Sequence, residues 1–271
     1  MTRQSDRFVR PVRRLALCAL IGAAACAGES VDAKAGEAEG AGARSTATQP
    51  SPSRPVIDRL AKGEAVFGIF SGDHTAEQGA QLLRSAAPDF VFYSLEEGPF
   101  DMPAMESYMG GMRDAGSEGP PPVALRIPPI RDDHEAAREH VRQGLASGAA
   151  AIVYPHVENA AEAALAVSAM GDDVWPGNQN GGLLTVLIIE DQAGVKQARE
   201  IVQTPGVGVV IPGPGDLRRA YDGDMEAVEN AIQTVLAACK EYRVPCGITA
   251  GVDDVAERLT QGFRFFISNG T

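Results

Sequence analysis

The stretch LLTVLIIEDQAGVKQAREIVQTPGVGVVIPGPGDL, residues 183–217, contains the repeating unit of this chain. Apolar runs stand at residues 183–190 and 207–212, and a helical pattern at residues 192–202 separates them. Continuous apolar runs of strand length are typical of parallel strands whose two faces are both covered by helices. The stretch therefore predicts a strand–helix–strand unit of a parallel α/β sheet.

The same alternation extends in both directions along the chain. Six further apolar runs predict strands, and helical patterns separate most of them: residues 65–70, 90–95, 122–127, 150–155, 245–249 and 263–268. Eight such units predict a (β/α)₈ TIM barrel, although about 250 residues is the usual length. An open doubly wound sheet is the alternative, but no GxGxxG follows the first strand. No helical pattern follows the last run, so we expect the barrel to lack the usual C-terminal closing helix.

The first 26 residues have the composition of an export signal. Residues 1–14 contain five arginines and one acid, and the apolar run LALCALIGAAACA follows. This run is shorter than the roughly 20 residues that span a bilayer, so we interpret residues 1–26 as a signal peptide. AAAC, ending at Cys26, resembles a lipoprotein box and predicts a lipid anchor at that cysteine. We therefore expect an exported, periplasmic protein tethered to a membrane, with a soluble periplasmic form as the alternative.

Residues 27–57 are rich in Ala, Gly, Ser, Thr and Pro and poor in large apolar side chains. Such a segment cannot bury enough surface to offset its chain entropy, so we predict a flexible tether. Residues 58–271 are predicted to fold as one domain. The net charge of −12 becomes −16 without residues 1–26, and this acidity argues against nucleic acid as a partner.

Cys239 and Cys246 are the two cysteines of the predicted domain. An oxidising compartment would permit a disulfide between them. One lies in a helical pattern and the other in a strand pattern, so we favour two buried thiols over a disulfide.

Charged residues stand where several predicted strands end, which in a barrel is the face that carries the chemistry. Acids follow the second, fifth and sixth strands, and an arginine ends the third: Glu96, Glu97, Glu190, Asp216 and Arg126. Hard oxygen ligands of this kind suit Mg²⁺ or Mn²⁺ better than zinc. No CxxC, HExxH or GxSxG motif is present, so zinc sites of the structural or protease type and a serine nucleophile lack support.

Six motifs follow one another along the chain: LEEGPF (95–100), ALRIPP (124–129), IVYPHVENAAEA (152–163), LIIEDQAGV (187–195), GVGVVIPGPGDL (206–217) and GFRFFI (262–267). Together they resemble the HpcH/HpaI aldolase/citrate lyase family, the class II metal-dependent pyruvate aldolases. The resemblance implies a TIM barrel that cleaves or forms carbon–carbon bonds beside a pyruvate enolate. It also implies a small-molecule 2-keto acid and an aldehyde as partners, and a divalent metal, Mg²⁺ or Mn²⁺, with Co²⁺ as a third candidate.

The resemblance assigns roles to single residues of these motifs. Glu190 and Asp216 align with the two metal-binding carboxylates. Arg126 aligns with the arginine that contacts the keto acid and stabilises the enolate. The turn formed by Gly213, Pro214 and Gly215 aligns with the turn whose backbone amides receive the substrate carboxylate. The structural alternatives are helix caps for the two acids, an ion pair for the arginine, and an ordinary turn for the glycines.

The strand-two motif departs from the family pattern D-x-E-H-[GA]-P. Ser94 replaces the aspartate and Glu97 replaces the catalytic histidine, whereas Glu96 keeps a commonly acidic position. We predict Glu97, with Arg126, as a catalytic residue, because desolvation and the neighbouring acid could raise the pKa of Glu97 enough for a general base. His156 is the alternative base.

A third interpretation is that proton transfer has been lost, which would leave a non-catalytic keto-acid-binding or scaffold barrel. Relatives in the family are usually hexameric, and their last helices commonly pack against a partner subunit. Since no closing helix is predicted in this chain, we expect a homo-oligomer smaller than a hexamer.

Overall fold

The computed structural model describes residues 53–116 and 119–268, which belong to one unit, Thr48–Thr271. The predicted signal peptide, Cys26, most of the tether and the residues after Ser268, where a closing helix would begin, lie outside the described residues. Within the described ranges, none of the helices combines the length and the apolar composition that a membrane crossing requires.

Strands and helices alternate through the described chain. The strands are β1 (Val66–Phe70), β2 (Phe90–Ser94), β3 (Val123–Arg126), β4 (Ala151–Tyr154), β5 (Val174–Trp175), β6 (Leu183–Ile189), β7 (Val209–Pro212), β8 (Gly247–Thr249) and β9 (Phe265–Ser268). The helices are α1 (Arg54–Ala61), α2 (Ala76–Ser85), α3 (Met102–Ala115), α4 (His134–Ala146), α5 (Ala160–Ala169), α6 (Gln192–Lys196), α7 (Ala198–Val202), α8 (Pro214–Ala220), α9 (Met225–Tyr242) and α10 (Val255–Gln261).

All strand pairings are parallel, in the order β5-β6-β4-β3-β2-β1-β9-β8, and β7 also pairs with β6. A parallel bridge between Val210 and Cys246 links β7 to the segment that enters β8. The sheet therefore curls into a barrel-like α/β fold, and the predicted α/β class and all eight predicted strands are confirmed. The two-residue strand β5 is an addition that the sequence did not predict.

Alternate residues of each strand face two different apolar clusters, as the two-residue period of a strand requires. Phe92 and Val153 belong to the inner cluster, which fills the interior of the curled sheet. Tyr93 and Ile152 belong to the outer cluster, which lies between the sheet and the helices. Because both faces of the strands are buried in this way, their sequences are continuously apolar.

Helix α1 covers the inner cluster at the N-terminal ends of the strands, with Val56, Ile57 and Leu60 buried there. It begins at Arg54, inside the stretch that we assigned to the tether, so the folded part starts four residues before the predicted boundary at residue 58. The reason is physical: three apolar residues at helical spacing suffice for one buried face, even beside a Pro- and Ser-rich segment.

Two other helices, α3 and α8, were not predicted, and one predicted helix is divided into two. Helix α3 contains the pair Gly110 and Gly111, which weakens a helical pattern. The second of these glycines is needed for packing, because a Cβ there would collide with the backbone of Ala76 in α2. Helix α8 was not expected, and the pattern at residues 192–202 forms α6 and α7, which are separated at Gln197.

Candidate active site

A cavity of about 310 Å³ opens where the strands end in sequence. Six of the seven predicted site residues line it: Arg126, Glu190, Gly213, Pro214, Gly215 and Asp216. The aromatic rings of Phe70 and Phe92 form an apolar wall of the same cavity. The fold therefore brings together groups from β3, the end of β6 and the loop after β7, with Glu97 as the one predicted residue outside the lining.

Arg126, the last residue of β3, is held from three sides. Its Nε donates a hydrogen bond of 2.9 Å to Ser94 Oγ. Its Nη1 lies 2.9 Å from Glu96 Oε2, and its guanidinium carbon lies 5.4 Å from the centre of the Phe92 ring. The arginine thus makes the ion pair that we weighed as a structural alternative, and it also lines the cavity. These contacts fix the guanidinium before any ligand arrives.

Glu190 follows β6 and is only 3% exposed. Its Oε1 accepts a hydrogen bond of 3.0 Å from the backbone N–H of His156. Burial raises the pKa of Glu190 to about 7, and the Asp216 carboxylate reinforces this rise, whereas His156 opposes it. A carboxylate buried to this degree is costly in its charged form unless a cation or hydrogen-bond donors compensate it.

His156 stands among the acids of the cavity in a left-handed backbone conformation, with φ at 53°. Its Nδ1 lies 3.7 Å from Glu190 Oε1 and 3.8 Å from Asp191 Oδ2, and its Nε2 lies 3.7 Å from Glu96 Oε1. These distances are those of ion pairs rather than hydrogen bonds. The Asp191 carboxylate raises the pKa of His156 against the opposing effect of burial, and Glu190 adds to the rise. Non-glycine residues with positive φ are concentrated at functional sites.

Three side chains at this end of the sheet are close enough to share one cation. One ligand atom from each of Glu96, His156 and Glu190 lies within 4.8 Å of the other two. Asp216, in the first turn of α8, lines the cavity but forms an ion pair with Arg219. The predicted pair Glu190 and Asp216 therefore stays a prediction, and Glu96 and His156 are donors that we did not assign.

The two adjacent glutamates after β2 have different environments. Glu96 is half-buried and faces Arg126 and His156, whereas Glu97 is exposed. Burial raises the pKa of Glu96, and the Arg126 charge opposes that rise. Strand alternation indicates that Glu96 lies on the same side as Ser94, because the two residues are two positions apart. The prediction that Glu97 is the general base stays a prediction.

The turn before α8 includes a glycine with a specific steric role. A Cβ on Gly213 would collide with the Glu190 carboxylate, whereas a Cβ on Gly215 would meet nothing within 4 Å. The Gly213 N–H donates a hydrogen bond of 3.0 Å to the carbonyl of Ile189. Close approach of this backbone to Glu190 therefore requires glycine at position 213, and the same argument does not apply to position 215.

Comparison with known proteins gives one consistent result. The sequence profile of the HpcH/HpaI aldolase/citrate lyase family matches residues 80–271. The chain is 24% identical over 242 residues to the hydroxypyruvate/pyruvate aldolase of Paraburkholderia phytofirmans, which covers 79% of this chain and 90% of that protein. It is 25% identical over 211 residues to the 2-dehydro-3,6-dideoxy-6-sulfogluconate aldolase of Pseudomonas putida, which covers 69% and 79%.

A solved structure shows the same fold. The crystal structure of an HpcH/HpaI aldolase/citrate lyase family protein from Burkholderia cenocepacia J2315 superposes with a TM-score of 0.68. The sequence identity is 22%, and the superposition covers 79% of this chain and 92% of that one. Nearly the whole length of that protein thus has a structural counterpart here.

Proposed function

The chain belongs to the HpcH/HpaI aldolase/citrate lyase family, and we propose that it is a metal-dependent carbon–carbon lyase of the aldolase type that acts on 2-keto acids through a pyruvate enolate. One observation carries the proposal. Arg126, Glu190 and Asp216 come from three separate parts of the chain and line one cavity at the C-terminal end of the strands. The two aldolase relatives identified by sequence support the same reaction class.

Arg126 is proposed to stabilise the charge that develops on the substrate. Forming an enolate from pyruvate places negative charge on the keto oxygen, and a guanidinium that is already oriented needs no reorganisation to meet that charge. Ser94 and Glu96 provide the orientation, at 2.9 Å each. The apolar wall of Phe70 and Phe92 would limit water around the reacting carbon.

A divalent cation fits the donors of this cavity. Glu190 is a buried carboxylate with a raised pKa. The raised pKa indicates that the hydrogen-bond donors of the protein do not fully compensate its negative charge. Glu190 and Asp216 would hold the ion, with Glu96 and His156 as further donors. Oxygen ligands suit Mg²⁺ and Mn²⁺, and an imidazole nitrogen adds preference for Mn²⁺ or Co²⁺ over Mg²⁺. When bound, the ion would supply Lewis-acid stabilisation of the keto oxygen.

Proton transfer is proposed to involve Glu97, at the exposed side of the same loop as Glu96. The rival base is His156, which lies inside the group of acids. Substitution of each residue in turn, with exchange of the pyruvate methyl protons as the readout, separates the two assignments.

The second candidate function is a barrel that binds keto acids without turnover. The exposed position of Glu97, where the family has its catalytic histidine, is the observation that favours it. Calorimetry with Mn²⁺ and then oxalate, which mimics the enolate, tests binding alone. Tight binding of both without exchange of pyruvate protons, and without cleavage of any 4-hydroxy-2-keto acid, would favour the binding protein over the lyase.

We also propose that the protein is exported and anchored through Cys26. The basic segment and apolar run of residues 1–26 support this proposal. In a bacterial host supplied with labelled palmitate, the wild-type chain should incorporate the label and Cys26→Ser should not. Absence of label from the wild-type chain, or equal labelling of the two proteins, would contradict the anchor.

A further inference from the structure

A second cavity, of about 190 Å³, lies at the other end of the barrel from the candidate active site. Its lining comes from segments that precede β1, β8 and β9, whereas the first cavity is lined by residues at strand ends. Three cationic side chains and two cysteines line it: Lys240, Arg243, Arg264, Cys239 and Cys246. Among the described residues of this lining, none is acidic, although the whole chain carries a net charge of −12.

The two cysteines are in direct contact. Their Sγ atoms lie 2.7 Å apart, and the residues are only 1% and 2% exposed. The prediction that both cysteines are buried is therefore confirmed, and their two sulfurs are not bonded to each other in this structure. Backbone contacts hold both positions: the Val244 N–H donates to Cys239 O at 3.0 Å, and the Arg264 N–H donates to Cys246 O at 2.8 Å. The two sulfurs are thus already in contact, which formation of a disulfide requires.

Other uses of the pair have less support. Burial raises the pKa of the Cys246 thiol, which is the opposite of what an activated cysteine nucleophile requires. Within residues 53–116 and 119–268, the cluster suited to a metal is the one at Glu96, His156 and Glu190, which contains no cysteine. What remains is a buried dithiol beside a cationic cavity.

We propose that this cavity is a thiol-oxidation site, at which a small anionic disulfide of the oxidised-glutathione class joins Cys239 and Cys246 in a disulfide. The Cys239 thiolate attacks a sulfur of the oxidant and releases the first small thiol. The other cysteine then displaces the second small thiol from the mixed disulfide. Two protein thiols thus lose two electrons and two protons, and the oxidant's sulfur–sulfur bond is reduced to two thiols.

The cationic lining explains the class of oxidant. Lys240 and Arg243 are exposed at the mouth of the cavity, and Arg264 is half-buried. They would attract a carboxylate-bearing disulfide and would stabilise the thiolate that starts each exchange. The new bond would join the last turn of α9 to the residue that precedes β8, and it would restrict the unfolded chain. This inference goes beyond the proposed function and does not depend on it.

Peptide mapping of the full-length protein tests the proposal directly. The reduced protein is incubated with oxidised glutathione, alkylated in denaturant without reductant, and digested with trypsin. Trypsin cleaves after Lys240 and Arg243, so the two cysteines fall on separate peptides that only a disulfide can join. We expect the joined peptides, and a Tm about 5 °C above that of the reduced protein. Recovery of both peptides in alkylated form, or each carrying only glutathione, would overturn the proposal.

A charge reversal tests the role of the cations without removing either sulfur. We expect Arg243→Glu to slow disulfide formation by oxidised glutathione roughly tenfold and to leave the rate with the neutral hydroxyethyl disulfide within about twofold. Arg84→Glu, which reverses an exposed charge on α2, is the matched control and should change neither rate. Equal slowing of both oxidants by Arg243→Glu, or no slowing of either, would refute recognition of an anion.

Discussion

Glu96 Oε2 lies 2.9 Å from Arg126 Nη1, while the adjacent Glu97 is exposed. The two neighbouring carboxylates after β2 therefore have different environments. Glu96 belongs to the group that orients the arginine and approaches His156 at 3.7 Å. Ser94, where the family has an aspartate, accepts the hydrogen bond from the Arg126 Nε. Ser94 and Glu96 of this segment thus both contact the guanidinium of Arg126.

Substitution of Arg126 tests the proposed charge stabilisation. We expect Arg126→Lys to lower kcat/KM about 100-fold or more, because an ammonium cannot reproduce the two contacts that fix the guanidinium. Arg199→Lys changes an exposed arginine that pairs with Glu241 and should leave kcat/KM within about twofold. Cleavage kinetics with a 4-hydroxy-2-keto acid provide the measurement, and an equal effect of the two substitutions would contradict the assignment.

Loss of the Ser94 hydroxyl should have a smaller effect in the same direction. Ser94→Ala removes one hydrogen bond to Arg126, which is worth about 1 kcal/mol, or roughly fivefold in kcat/KM. Ser94→Asp restores an acceptor and should recover most of the loss. If Ser94→Ala retained full activity, orientation of the arginine by this hydroxyl would be unnecessary.

Glycine at position 213 should be needed for metal binding. A Cβ there would displace the Glu190 carboxylate, so we expect Gly213→Ala to raise the Kd for Mn²⁺ at least about tenfold. Gly215→Ala, two residues away, meets no neighbouring atom within 4 Å and should leave the Kd within about twofold. Titration calorimetry on both variants provides the comparison. Equal Kd values for the two would show that the Glu190 position does not control the metal.

The buried charge of Glu190 should make the metal-free protein less stable at high pH. The folded-state pKa of about 7 lies above the ordinary value of 4.5, so the folded state favours the protonated form. Stability from this group is fully present below about pH 4.5 and is lost as the pH rises through about 7. Glu190→Gln should therefore raise the unfolding free energy at pH 8 by about 2 kcal/mol in EDTA, and should change it little at pH 5. A destabilised Glu190→Gln protein at pH 8 would show that the carboxylate is compensated without metal.

Substitution separates the two candidate bases, Glu97 and His156. Glu97→Gln should slow exchange of the pyruvate methyl protons about 100-fold if this carboxylate is the base. His156→Gln should then slow exchange less, because it removes only the contacts of His156 with Glu96, Glu190 and Asp191. Unchanged exchange in Glu97→Gln together with lost exchange in His156→Gln would transfer the role to His156.

The strands, and the gathering of six predicted residues around one cavity, were predictable because both depend on local pattern. Runs such as residues 183–189 are apolar on both faces, which is the mark of a covered parallel strand, and parallel topology places their ends on one face. Helix α1 was missed because its three buried residues follow a disorder-like composition. Helix α3 was missed because its glycine pair weakens the helical pattern, although Gly111 of that pair is needed for packing against α2.

The inward direction of Glu96 rather than Glu97 depends on the path of the chain after β2, which local propensity does not determine. His156 itself has a left-handed backbone conformation, and its backbone N–H donates a hydrogen bond to Glu190. Its position therefore depends on tertiary contacts. Both features arise from tertiary structure, and beyond the strand alternation that places Ser94 and Glu96 on one side, a sequence pattern carries little information about them. They are also the features that complete the group around Arg126 and Glu190.

The proposed activity is the formation of a pyruvate enolate in this cavity with the help of a divalent metal. Exchange of the pyruvate methyl protons for deuterium, followed by NMR in D₂O, tests it most directly. We predict exchange by the wild-type protein with Mn²⁺ or Mg²⁺, and loss of exchange in EDTA. Exchange that is absent with every divalent metal, while Mn²⁺ and oxalate still bind, would contradict the claim and leave a binding protein.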